Sequence, residues 1–201
     1  MPKNNYICKK KHRQKMKLKY CFVGLLAISS FISCKIDTGE NKPEPAAQQE
    51  EKLSSGKVMI TMNAIVPADD KFQVFYNEAG TLDFDGEHTV TVSVFGKDTP
   101  QDIRFSLPDE ALPTALRIDT GDSKDQGKLT INSITVNYYD KSLVIKGGDE
   151  FLKYFQPNNL EKERSDATSA TFTVKPVNGN YDPMFYPSGE LINALKGILV
   201  K

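Results

Sequence analysis

The chain has 201 residues with 26 Lys and Arg and 26 Asp and Glu, so its formal net charge is zero. Residues 1–33 contain eight of the basic residues and none of the acidic ones, which leaves 18 basic and 26 acidic residues, a net charge of −8, from position 34 onward. That balance excludes a protein that binds a nucleic-acid backbone, because such binding requires a basic face.

The N-terminal segment has the layout of a secretory signal. A stretch rich in Lys and Arg precedes a short apolar run from Cys21 to Ser33, and Cys34 follows directly. This order resembles a bacterial lipoprotein signal peptide, which implies two or three acyl chains on Cys34. The run is shorter than the roughly 20 residues that span a bilayer, which favours cleavage over an uncleaved signal anchor. Asp37 and Glu40 resemble the acidic patch of surface lipoproteins in Bacteroidota.

Three segments follow from this interpretation. Residues 1–33 form the signal peptide, and Met16 is an alternative translation start because a compact signal begins there. Residues 34–56 carry the lipid on Cys34 and a tether rich in Pro, Glu, Gln and Ser, a composition typical of disorder. Residues 57–201 form the folded domain. We therefore predict an extracytoplasmic protein, lipid-anchored to the outer membrane on its periplasmic face or at the cell surface.

Beyond residue 57 the apolar residues alternate with polar ones, a pattern typical of half-buried β-strands. Such runs predict strands at 58–62, 72–76, 89–94, 103–107, 116–118, 129–138, 143–145 and 172–174. The phase of the longest run changes near Asn132 and Ser133, which predicts a β-bulge. Short strands roughly 10 residues apart predict a mainly β fold, an antiparallel and jelly-roll-like β-sandwich.

Two helices interrupt the strands. The first is a short helix near 149–155, which Pro157 ends. The second lies near 188–200, where Ser188 is a good N-cap and the apolar residues recur at helical spacing. An apolar stripe of this kind packs most often on its own domain. Binding of the helix to a partner protein is the first alternative. Contact with a membrane is the second and is less favoured, because the polar face is not rich in the Lys and Arg that membrane-surface helices carry.

Four segments of the domain resemble galactose-binding-like jelly rolls. They are Phe72–Tyr76, Asp102–Pro108, Leu116–Gly121 and Leu129–Ile134, in that order along the chain. The resemblance extends to domains that are appended to bacterial envelope polysaccharide proteins. The resemblance implies the fold and a glycan as ligand, but it implies no binding residue, because those domains bind through variable loops.

Sugar sites require a flat aromatic face beside amide and carboxylate groups. The segment 180–187 supplies these in Tyr181, Asp182, Phe185 and Tyr186, and its prolines indicate a loop. We predict these four residues as the ligand site. The alternative is a proline-stiffened connection that packs on the sandwich. The chain contains no Trp, which is the usual sugar platform.

A second group of residues is a candidate structural calcium site. Asp119, Asp122 and Asp125 recur at a spacing of three beside Gly121 and Gly127. Calcium takes roughly six to eight oxygen ligands and often fixes loops of β-sandwiches in this way. The alternative is a turn, because Asp and Gly are ordinary turn residues. No other cofactor is predicted.

No sequence motif predicts catalysis. Only one histidine, His88, follows position 34, and no nucleophile elbow, phosphate-binding loop, zinc pattern or dinucleotide fingerprint is present. We predict a protein that is not an enzyme, a lipid-anchored binding protein of the cell envelope with a glycan as the favoured ligand. The first alternative is an accessory subunit that docks on another envelope protein. The second is a small hydrolase, which would require facing carboxylates in a cleft.

Overall fold

The computed structural model describes residues 56–199, so the predicted signal peptide, Cys34 and the tether before residue 56 lie outside the described residues. The described part of the chain forms strands and helices in this order: β1 (Met59–Val66), β2 (Asp70–Asn77), β3 (Thr89–Val94), β4 (Lys97–Ser106), β5 (Ala115–Asp119), β6 (Lys128–Tyr138), β7 (Lys141–Lys146), α1 (Phe151–Tyr154), β8 (Phe155–Asn158), β9 (Leu160–Ser165), β10 (Ala170–Val174), β11 (Met184–Pro187) and α2 (Gly189–Leu199). Neither helix is long and apolar enough to cross a membrane.

The strands form two antiparallel sheets. One sheet has six strands, five of which lie in the order β4-β1-β6-β10-β9. The sixth strand, β7, pairs with the long strand β6, with which β10 also pairs. The other has five strands in the order β3-β2-β5-β11-β8. Strands that are neighbours in a sheet are often distant in the chain, as β1 and β6 are. The prediction of a mainly β, antiparallel β-sandwich with a short helix and a C-terminal helix is confirmed.

The two sheets share one hydrophobic core. Alternate residues of β1 and β2 are buried, as their sequence patterns predict. A cluster of phenylalanine rings joins the layers, because Phe172 of the six-stranded sheet and Phe185 of the five-stranded sheet have ring centroids 5.0 Å apart. Phe151 of α1 packs against both rings. Removing any one of these buried rings would cost about 3–5 kcal/mol.

The predicted bulge in the longest strand is confirmed. Asn63 of β1 pairs with Ser133, whereas Ala64 pairs with Ile131, so Asn132 has no direct partner on β1. This extra residue explains the change of phase in the hydrophobic pattern of β6, because each residue added to one strand reverses the faces of those that follow.

The C-terminal helix begins where the sequence predicts. The Ser188 hydroxyl accepts the Leu191 backbone N–H at 3.3 Å and donates to the Lys153 carbonyl oxygen at 2.6 Å, so it both caps α2 and ties that helix to α1. Leu191, Leu195 and Leu199 are buried in the core. The apolar stripe therefore packs on its own domain, which was the favoured interpretation.

Three strands, β8, β9 and β11, were not predicted. Only Leu160 is buried in β9, which is an edge strand with charged residues at four consecutive positions. In β11 every residue except Tyr186 is buried, so no alternation marks a strand. The helix predicted near 149–155 is shorter than expected, because Phe155 already belongs to β8.

Candidate functional site

The outer face of the five-stranded sheet presents a continuous row of side chains. Phe75 pairs with both Thr89 and Arg117, and Tyr186 pairs with Gln156. Extending the β5–β11 register by one residue places Tyr186 opposite Arg117. Because direct cross-strand partners share a face, these five residues form one line across the sheet, which we call the Arg117 row.

A second row runs beside the first on the same face. Gln73 pairs with Thr91 and with Asp119, and Met184 pairs with Asp119 and with Asn158. Inside the row, the Gln73 amide nitrogen donates to the Thr91 hydroxyl at 3.0 Å. This Asp119 row and the Arg117 row together are called the Arg117 face.

The Arg117 guanidinium lies at the centre of the face among three aromatic rings. Its central carbon is 4.0 Å from the ring centroid of Phe75, 5.5 Å from that of Phe84 and 5.8 Å from that of Tyr186. Two of its nitrogens donate to the two carboxylate oxygens of Asp119, each at 2.8 Å. Aromatic faces attract a guanidinium, and a bidentate carboxylate fixes its plane, so the group is held in one orientation.

The Arg117–Asp119 ion pair is largely shielded from water. The side chains of Arg117 and Asp119 are 16% and 13% exposed. Burial raises the pKa of the Asp119 carboxyl above its usual value, and the negative charge of Asp182 raises it further, although the bond to Arg117 acts in the opposite direction. The pair therefore presents hydrogen-bonding groups at a partly dehydrated surface, where such bonds are stronger than in water.

The connection between β2 and β3 brings the third aromatic ring to the face. The Asn77 side chain organises this loop by donating to the Asp83 carbonyl oxygen at 2.8 Å and accepting the Ala79 backbone N–H at 2.9 Å. Phe84 follows in the same loop, and its ring centroid lies 6.5 Å from that of Tyr186. The loop thus forms one side of the face around Arg117.

The four residues predicted as one ligand site lie in three different environments. Tyr186 belongs to the Arg117 row, and Asp182 is close enough to Asp119 to raise its pKa. Tyr181 instead donates its hydroxyl to the Ser123 carbonyl oxygen at 2.5 Å. The prediction for Phe185 was wrong, because its ring is fully buried between the sheets and cannot contact a ligand.

The loop from Thr120 to Gly127 is built around a buried carboxylate. Asp70, which is 8% exposed, accepts the backbone N–H of Asp122 at 3.1 Å and the Gln126 amide nitrogen at 2.8 Å. Gly121 has a φ of +101°, and a Cβ added to it would lie 2.2 Å from the Asp70 carboxylate. Backbone and amide donors therefore fix this loop, which we call the Asp70 loop.

The prediction that Asp119, Asp122 and Asp125 together bind calcium was wrong. Asp119 is bound to Arg117, and Asp122 donates its backbone N–H to the Asp70 carboxylate. Within residues 56–199 no three His, Cys, Asp or Glu side chains converge in a way that could hold a metal ion. A spacing of three does not bring these aspartates together, because Asp119 ends a strand while Asp122 and Asp125 lie in the loop that follows.

His88 contacts a carboxylate on the protein surface. Its Nδ1 lies 2.9 Å from an Asp85 carboxylate oxygen, and this hydrogen bond raises the imidazole pKa while it lowers the pKa of Asp85. In the part of the chain that the structure describes, no serine or threonine hydroxyl hydrogen-bonds to this ring. The Asp85–His88 pair thus organises the start of β3, where Asp85 also accepts the backbone N–H of His88.

Arg117, Phe75 and Phe84 were not predicted from the sequence as site residues. One signal was present, because residues two apart in a strand share a face and Arg117 and Asp119 have opposite charges at that spacing. The aromatic rings around Arg117 come from other strands and a loop, so only the pairing of strands reveals them. No family model, curated protein or solved structure matches the chain.

Proposed function

We propose that the protein is a binding protein without catalytic activity and that its ligand is a glycan held on the Arg117 face. The observation that carries the proposal is that a fixed guanidinium lies among the rings of Phe75, Phe84 and Tyr186 on a face that also carries amide side chains. A sugar ring has an apolar face that packs on an aromatic ring and hydroxyls that require both donors and acceptors. The two rows supply all three kinds of contact.

The charges of the face support a neutral ligand. Arg117 and Asp119 neutralise each other through two hydrogen bonds, so neither is free to bind a strongly anionic or cationic group. A sugar hydroxyl can still donate to the carboxylate or accept from the guanidinium. The side chains of Gln73, Gln156 and Asn158 add amide donors and acceptors on the same face.

The pattern of exposed apolar residues favours a glycan over a protein partner. Docking surfaces are contiguous apolar patches. The large apolar side chains that are exposed within residues 56–199 are Leu82, Phe95, Tyr139, Val144 and Val177, and they come from four different loops and one strand. None of them belongs to the Arg117 face, which is mixed in polarity.

A glycan array with the purified full-length protein in mild detergent tests this proposal. We expect saturable binding that falls at least about tenfold when Tyr186→Ala removes the ring, a loss that corresponds to about 1.4 kcal/mol. Phe95→Ala is the matched control, because Phe95 is 69% exposed and lies outside the face. Absence of any glycan ligand, together with a protein partner recovered by crosslinking in cells, would replace the proposal with the docking alternative.

We further propose that the protein is anchored in the cell envelope by lipid on Cys34. The basic segment, short apolar run and cysteine at the end of that run support this location. Cys34→Ala should abolish incorporation of an alkyne-labelled fatty acid and move the protein out of the detergent-rich phase. Cys21→Ala is the control, because that residue precedes the predicted cleavage point. Equal labelling of both variants would contradict the anchor.

A further inference from the structure

A separate cavity of about 560 Å³ lies at the end of the domain where the described chain begins. Three segments surround it, namely the first residues of the domain, the connection between β4 and β5, and the turn between β6 and β7. Its walls include Lys57, Asp109, Glu110, Leu112, Tyr138 and Tyr139. The volume is in the range of small-ligand sites, about 300–1,000 Å³. We call it the Tyr139 cavity.

Two wall residues of this cavity adopt an unfavourable backbone conformation. Among the described non-glycine residues, those with positive φ are Glu110 at 67°, Tyr139 at 52° and two asparagines, Asn159 and Asn178. Asparagine tolerates this conformation, whereas glutamate and tyrosine adopt it rarely. The two unusual residues line the same cavity. Strain of this kind concentrates at functional sites, where the side chain has a task.

The Tyr139 ring is fixed in position although it is 40% exposed. Tyr139 is the first residue of a two-residue turn, since Tyr138 pairs with Lys141 across it. The rings of Tyr138 and Tyr139 meet edge to face with centroids 4.6 Å apart. The Tyr139 hydroxyl lies close to Gly56, only 2.7 Å from the place where a Cβ on that residue would be, so the ring packs over the glycine. The ring is therefore a preformed aromatic surface.

The walls of the cavity carry a net negative charge, because they contain two acidic residues and one basic residue. The Lys57 ammonium is paired with the Asp109 carboxylate at 2.8 Å. Glu110 is exposed and forms no ion pair with any other residue in the range 56–199. The excess negative charge disfavours phosphates and carboxylates as ligands. An unpaired carboxylate beside an aromatic ring favours a ligand that carries an ammonium group.

We propose that the Tyr139 cavity binds a sugar residue that carries a free amino group. The sugar ring packs on Tyr139, its ammonium binds Glu110, and its hydroxyls bind the Lys57–Asp109 pair. This site is separate from the Arg117 face, and its ligand is a positively charged sugar where the ligand of the face is a neutral one. The inference rests on the contacts of the cavity and deepens the proposed glycan binding by naming a second sugar class.

The test compares three tetrasaccharides, composed of glucosamine, N-acetylglucosamine and glucose, as ligands of the full-length protein in mild detergent, with binding followed by calorimetry. We expect the glucosamine tetramer to bind at least about fivefold more tightly than the other two. Glu110→Gln should abolish that preference, because it removes the charge and retains the shape. Tyr139→Asn should weaken binding of the glucosamine tetramer at least about tenfold, without lowering the unfolding temperature.

Two control variants separate this site from others. Glu87→Gln makes the same change of charge on an exposed residue outside the cavity, and it should leave the preference for glucosamine intact. Phe95→Ala, at an exposed residue outside both the cavity and the Arg117 face, should also leave that preference intact. Equal affinity for the three tetramers overturns the inference. It is also overturned if Glu87→Gln lowers the affinity as much as Glu110→Gln does.

Discussion

The Asp70 loop and the wall of the Tyr139 cavity both contain residues with positive φ, but the loop has glycines at these positions and the cavity wall has residues with large side chains. In the loop, Gly121 and Gly127 adopt positive φ values of 101° and 70°, and a side chain at Gly121 would collide with the Asp70 carboxylate. In the cavity wall, Glu110 and Tyr139 adopt positive φ although glycine or asparagine would fit better. The difference indicates that the loop is optimised for stability, whereas the cavity wall retains side chains that stability does not require.

Removing the carboxylate of the Asp70 loop should have the largest effect on stability. Asp70→Ala removes a buried acceptor from the Asp122 backbone N–H and from one of the two Gln126 amide N–H groups. We expect this loss to cost about 3–4 kcal/mol, measured by urea unfolding. Asp166→Ala is the matched control. Asp166 also accepts two backbone N–H groups, from Thr168 and Ser169, but at the surface, where water can replace it. Equal losses for the two variants would show that burial does not matter.

A methyl group at Gly121 should have the next largest effect. Gly121→Ala combines an unfavourable φ with a collision against Asp70, and we expect a loss of about 2–3 kcal/mol. Gly127→Ala has a positive φ but only ordinary van der Waals neighbours, so it isolates the conformational cost. Gly86→Ala has neither problem and should be almost neutral. Unfolding midpoints of the three variants that do not follow this order would break the comparison.

A substitution that relieves the positive φ in the cavity wall should raise the stability of the domain. Glu110→Asn places a residue that tolerates positive φ at a strained position, and we expect a gain of about 0.5–1 kcal/mol. Glu87→Asn, at a residue that is not among those with positive φ, should bring no such gain. Thermal unfolding of both variants measures the difference. A loss of stability in Glu110→Asn would mean that the glutamate side chain contributes to the fold and is not retained for a ligand.

The smallest expected effect concerns Tyr181 beside the Asp70 loop. Burial raises the pKa of its phenol, and the charges of Asp70, Asp122 and Asp125 raise it further. A raised pKa in the folded state gives stability that is present below the unfolded value of about 10 and is lost as the pH rises through the folded value. Tyr181→Phe should be less stable than the native chain by about 0.5 kcal/mol at neutral pH, through loss of the hydrogen bond to the Ser123 carbonyl oxygen.

That difference should shrink above pH of about 10, because the unfolded tyrosine then ionises while the folded one resists ionisation. Urea unfolding at several alkaline pH values measures the trend. A difference that stays constant through this range would mean that neither burial nor the aspartates of the loop raise the pKa of the phenol.

The sequence predicted the strands that alternate between buried and exposed residues, because such patterns report one buried face directly. Strands β1 and β6 belong to this group. It did not predict β11, whose apolar residues are buried on both sides, or β9, whose charged residues lie on an open edge. For these strands the neighbours decide the conformation, and the neighbours are distant in the chain.

The residues of the candidate site also divide into those that a local sequence pattern predicts and those that depend on distant neighbours. Tyr186 was predicted because an aromatic residue near amides and acids is a local signal. Arg117 and Phe75 were not, because their association depends on the register between β2 and β5. The aspartates at spacing three were misinterpreted for the same reason, since Asp70, which organises their loop, lies far away in the sequence.

The open edge of β9 has a consequence for self-association. An exposed edge strand is a template for another copy of the chain, and such contacts extend into fibrils. Residues 161–164 place two glutamates, a lysine and an arginine on this edge, and Pro100 interrupts the donors of β4 at the opposite edge. A second copy that paired with β9 would have to bury these charges, and one that paired with β4 would lack a hydrogen bond at Pro100. The six-stranded sheet should therefore resist edge-to-edge pairing at concentrations where a plain hydrophobic edge would aggregate.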